Sequence, residues 1–165
     1  MAVLASNNGR PVGRMTLRVA APDGTLLAER RAGNMVLHGG ALLIAQLFSG
    51  AGGAKPIDTV GVGFARDPGT ADLTALTRPA DTEKFPLAAL RTALPPGSFT
   101  IADRDGVVQV SVAARFKPTV VLADVTEAGL LSGDALYNQV IFEPVTLAVG
   151  QDVTLFWQID FPFGH

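Results

Sequence analysis

Glu127 is the side chain whose setting most raises a chemical question. It stands in Val125-Thr126-Glu127-Ala128-Gly129-Leu130-Leu131, a lone acid among apolar residues. A carboxylate is costly to bury unless it is hydrogen-bonded or paired, so this sequence predicts a specific partner for it. As a general acid it would need a second carboxylate or a histidine beside it, and the surrounding residues supply neither. The structural reading is therefore preferred. With Gly129 giving room, Glu127 is expected to accept backbone N–H bonds, or to meet an Arg, where the chain turns.

The remaining reactive residue types form no constellation. The two histidines, His38 and His165, lie outside any ligand-spaced cluster such as HExxH, so no metal site is expected. His38 reads as a capping or packing residue and His165 as a tail residue. There is no GxSxG elbow, and a Ser-His-Asp triad would have to use one of these histidines without a signature. Gly61-Val62-Gly63 lacks the third glycine and the lysine of a phosphate loop, and Phe64-Ala65 continues a strand. Asp58, Asp67, Asp72 and Asp81 fall in turn-like text, where Asx turns account for them. Asp103-Arg104-Asp105-Gly106 resembles a piece of a calcium loop, but no glutamate stands at its twelfth position. The chain has no cysteine, which excludes disulfides and thiolate chemistry. No catalytic residue, metal or cofactor is assigned, and the chain reads as a non-enzyme.

The elements that would position such residues are mostly strands. Residues 1–12 read as a flexible arm and residues 13–165 as a single domain. Met15–Val19 alternates apolar with polar, Pro22-Asp23-Gly24 is a turn, and Thr25–Glu29 resumes, which together predict a hairpin. One helix is expected at about residues 37–49, where Leu37, Ala41, Ile44, Ala45 and Phe48 recur at helical spacing. Leu42, Leu43 and Leu47 widen the stripe, implying burial on most sides, and Ser49–Gly53 ends it. Ile57–Ala65 reads as a strand whose Gly61 and Gly63 let another group approach closely. Residues 66–98 hold five of the eleven prolines and read as a long loop, functional or covered by a partner. Beyond Phe99 come short strands, among them Val108–Val112, Ala135–Phe142 and Asp152–Phe161, the last two separated by Pro144 and Gly150. The fold class expected is mainly β, an antiparallel, jelly-roll-like β-sandwich with one short buried helix. Trp157 shares a face with Leu155, Ile159 and Phe161 and reads as core, with a ligand platform as the alternative.

The chain has 165 residues, with 48% apolar, 17% charged and a net charge of −2. Ordinary soluble domains carry roughly 25% charged residues, so some apolar surface is expected to be covered by other subunits. No basic cluster exceeds Arg30-Arg31, which disfavours nucleic acid, and the longest apolar run, near Gly39–Phe48, is too short to span a membrane. The N-terminus lacks a signal-peptide pattern, so synthesis in the cytoplasm is expected.

Taken in order, several segments resemble small tail-fibre, baseplate and related virion proteins of tailed bacteriophages or phage-tail-like particles. Asn34-Met35-Val36-Leu37-His38-Gly39 resembles their N-x-V-x-x-G lead-in to a short helix. Ile57–Gly63 resembles the following strand that carries G-x-G, and Asp72–Leu76 loosely resembles a D-x-x-L stretch. Val125–Leu131 resembles I-T-E-x-G-L-F. Phe142-Glu143-Pro144-Val145 and Val153–Phe161, with Trp157 at its centre, resemble the closing strands. The resemblance covers about residues 34–163. Leu131 replaces the family's aromatic, the lysine that often follows the F-x-P element is absent, and residues 66–98 match poorly. The resemblance implies a structural virion subunit without enzymatic activity, with Asn34, Gly39, Gly61, Gly63, Glu127, Gly129, Leu130, Pro144, Trp157 and Phe161 as structural positions. Its partners would be itself, as a homo-oligomer such as a trimer, and other virion proteins. The alternative reading is a receptor- or glycan-binding tip domain that uses residues 66–98 as its recognition loop.

Overall fold

A computed structural model describes residues 12–164. Residues 1–11 of the expected arm and His165 lie outside the described residues, and Val12 already opens the first strand. β1 (Val12–Ala20) and β2 (Leu26–Val36) form the expected hairpin. Gly24, at φ +87°, makes the turn, and the Asp23 carboxylate accepts the Thr25 N–H at 2.9 Å. Helix α1 (His38–Ser49) follows and ends at Gly50 in the left-handed conformation.

β3 (Thr59–Gly63) is shorter than the expected Ile57–Ala65. The stretch from 64 to 98 holds two short 3₁₀ turns, Leu87–Leu90 and Pro96–Ser98, around the three-residue β4 (Arg91–Ala93). The rest of the sheet comprises β5 (Phe99–Arg104), β6 (Val107–Phe116), β7 (Leu122–Ser132), β8 (Ala135–Leu136), β9 (Asn138–Leu147) and β10 (Asp152–Pro162). All pairings are antiparallel. The order is β4-β3-β7-β9-β2-β1-β10-β6-β5, with β8 joined to β7.

The architecture is thus mainly β, antiparallel, with a single helix. The ten strands join one continuous sheet, which curls until its ends meet; the Thr92 hydroxyl on β4 donates to the Arg115 carbonyl on β6 at 3.4 Å. The inner face carries the main core, including Met15, Leu17, Phe116, Leu155 and Trp157. A second, small core of Leu37, Leu131 and Leu136 lies beneath Leu73 and Leu76.

Three expectations are corrected. Val125–Leu131 is the middle of strand β7 and not a turn. Pro144 does not end a strand, because β9 continues to Leu147. Pro144 sits where β9 has left its pairing with β2 and the β7–β9 register shifts, so its missing N–H is not required by a regular ladder. Arg30 braces that gap by donating to the Glu143 and Pro144 carbonyls at 3.0 and 2.9 Å. Finally, α1 is not buried on most sides. Gly40 and Leu43 are its buried residues, while Leu42, Ile44, Leu47 and Phe48 are exposed. Periodicity gives the width of an apolar stripe but not the number of elements available to cover it.

Candidate functional site

Glu127 is fully buried, and both of its carboxylate oxygens accept hydrogen bonds, three in all. Oε2 accepts the backbone N–H groups of Thr77 at 2.8 Å and Ala65 at 3.3 Å. Oε1 accepts the side-chain amide of Gln139 at 2.7 Å. No arginine is among these partners. Gln139 turns its own oxygen to the Gly69 N–H at 2.8 Å, and the Thr126 hydroxyl donates to the Ala65 carbonyl. Three strand side chains, two from β7 and one from β9, therefore lock residues 65–77 against the sheet.

The glycines make this possible. A Cβ on Gly63 would stand 2.2 Å from Glu127 Oε2, and one on Gly61 would stand 2.9 Å from Leu76 Cδ1. A Cβ on Gly129 would meet the Asn138 carbonyl at 2.5 Å. The expected close approach at Gly61 and Gly63 is thereby explained: these glycines and Gly129 form a floor on which Leu76 and the Glu127 carboxylate lie. Leu130, beside them, belongs to the main core, and its N–H donates to Asn138 Oδ1 at 2.8 Å.

The other positions singled out serve packing. Asn34 folds over Gly13, where a Cβ would overlap its Oδ1. Gly39 approaches the Leu136 carbonyl, but Gly40 is the tighter neighbour, since its Cβ would lie 2.1 Å from the Tyr137 carbonyl. Trp157 is wholly buried and is no ligand platform, and Phe161 packs partly buried against the core. His38 is exposed; its N–H donates to the Ala71 carbonyl, and the helix cap is Leu37. Sequence reasoning did not single out Gln139, Leu76 or Thr77. The only signal was the polar pair Asn138-Gln139 within a strand.

Next to the lock, α1 leans on β8 and leaves an apolar pocket of about 140 Å³ between itself and the sheet. Leu43, Ile44 and Leu47 line one side, and Phe99, Val110 and Phe161 line the other. Burial pushes the Tyr137 phenol, also at this pocket, above its ordinary pKa. The outward side of α1 is bare, and Phe48 is 95% exposed. Among the described residues no group of three or more His, Cys, Asp or Glu is placed to hold a metal ion, and no helix is long and apolar enough to cross a membrane. No protein-family model matches the chain, and no significant match was found among curated proteins or solved structures.

Proposed function

We propose that this chain is a structural subunit of a tailed-phage or phage-tail-like particle, acting by assembly with copies of itself and with other virion proteins. The observation that carries the assembly reading is the bare face of α1, with Leu42, Ile44, Leu47 and Phe48 open to solvent. Four large apolar side chains exposed on one short helix point to an interaction surface. A second copy fits it best. From Ala32 to Ala54 the chain carries no Asp, Glu, Lys or Arg, so the helix offers a charged partner no ion pair, whereas an identical uncharged helix matches it about a symmetry axis. Assignment to a virion rests on the ordered motif resemblance.

The glycan-tip alternative assigned recognition to residues 66–98. In the structure the first part of that stretch is committed to covering the sheet, through Gly69, Leu73, Leu76 and Thr77. Light scattering and native mass spectrometry at micromolar concentration test the assembly reading. A discrete multimer is expected from the wild type, and a monomer of unchanged melting temperature from the L42E/F48E variant, whose two positions are exposed and lie outside the pocket lining. A monomeric wild type that binds no apolar dye overturns it.

A further inference from the structure

Strands β2, β1, β10 and β6 turn their polar residues away from the core, and their register builds a second surface on the opposite side of the sheet. Thr16 stands between Phe156 on β10 and Arg31 on β2. Arg14 is opposite Gln158, and Arg18 is opposite Thr154. Phe156 meets only Ala113 on its other flank, so a half-buried ring lies among small neighbours. Together these side chains line an open groove of about 580 Å³, within the size range of small-ligand sites.

Cations are in excess there. Arg18 and Arg31 share the single carboxylate of Glu29, at 2.7 and 2.8 Å, and Arg14 meets Asp160 at 3.3 Å. Arg115, across from Thr154 on β6, has no carboxylate partner among the described residues. Arg18 reaches Glu29 through Nε, which leaves both terminal nitrogens for a ligand. The surface therefore offers an apolar ring, hydroxyl and amide groups at the spacing of adjacent strands, and guanidinium forks with unused donors.

Other occupants fit poorly. β1 and β10 each have neighbours on both sides, so no edge is open for strand addition. A nucleic-acid backbone needs an extended run of cations to track successive phosphates, and this face offers only a few arginines, partly offset by Glu29 and Asp160, in a chain of net charge −2. We propose that this face binds an acidic saccharide, with the apolar face of a sugar ring on Phe156 and its carboxylate on Arg18 and Arg31. Hydroxyls of the ring meet Thr16, Thr154 and Gln158. This site is independent of the α1 interface.

Calorimetric titration with a trigalacturonate, a neutral galactose trimer and tripolyphosphate tests it. Trigalacturonate is expected to bind about tenfold or more tightly than either control, because a carboxylate on paired guanidiniums and a stacked ring act together. Arg31→Ala and Phe156→Leu should each weaken binding by about tenfold, while Arg104→Ala on β5 should leave it unchanged. Phe156→Leu keeps an apolar side chain, and melting curves of both variants confirm that they fold. No binding at millimolar trigalacturonate, equal binding of the neutral trimer or of tripolyphosphate, or binding insensitive to both substitutions overturns the proposal. Light scattering on the same samples reads the assembly state separately, so failure of one reading is distinguishable from failure of the other.

Discussion

Gly63 and Glu127 face each other across the β3–β7 pair, and each requires the other to be what it is. The carboxylate brings only acceptors to three donors, a match that no neutral side chain reproduces. In Glu127→Gln the new amide would face the Gln139 amide, donor to donor, and Gln139 cannot flip without abandoning the Gly69 N–H. A loss of about 1–2 kcal/mol is expected for this variant. Glu127→Ala leaves all three donors unpaired and opens a void, so about 2–4 kcal/mol, or a fall in melting temperature of roughly 5–15 °C, is expected. Gly63→Ala should approach the same loss, since its methyl group would displace the carboxylate. Glu29→Ala on the exposed hairpin serves as the reference and should melt with the wild type. If Glu127→Ala melts with the wild type as well, the carboxylate is not a structural keystone.

At the scale of elements, the stretch from 64 to 98 divides in two. Residues 64–77 are tied down by Glu127, Gln139 and the Phe64 N–H, which donates to the Thr77 carbonyl at 3.0 Å. Around Lys84 the chain is exposed, and its contacts are local, such as the ion pair with Asp81. Opening free energy follows such anchoring, so brief trypsin treatment should cleave after Lys84 well before Arg66. Gln139→Leu should accelerate cleavage at Arg66 by releasing Gly69. Equal rates at the two sites in the wild type would show that the lock does not hold the segment. The β1–β2 hairpin was legible in advance, because alternation and a turn containing glycine are local features. The reading of Val125–Leu131 as a turn failed because both faces of β7 are covered: Leu130 lies in the main core and Leu131 in the small one. A strand buried on both faces loses its alternation and reads as a continuous apolar run.

For the whole molecule, the curled sheet separates two uncovered surfaces of opposite character. The α1 face is apolar and uncharged, whereas the groove around Phe156 is lined by arginines. Salt discriminates between them, since screening weakens exposed charge pairing and leaves apolar contact intact. Raising sodium chloride from ~0.05 to ~0.5 M should preserve the multimer while weakening trigalacturonate binding severalfold. A multimer that dissociates under these conditions would place its interface on charged residues and not on Leu47 and Phe48.

What the amino-acid sequence determined by itself was everything set by near neighbours: the strand periodicities, the turn at Gly24, the helix stop at Gly50, and a lone carboxylate that must have partners. Trp157 was also legible as core, because Leu155, Ile159 and Phe161 share its face by simple alternation. Only the tertiary structure decided which donors Glu127 receives, since Ala65 and Thr77 come from 62 and 50 residues away. It alone decided that no element covers Leu42 and Phe48, and that arginines of β1 and β2 gather around a phenylalanine of β10. Local spacing constrains one side chain relative to the next, whereas partners and coverage depend on how strands distant in sequence come into register.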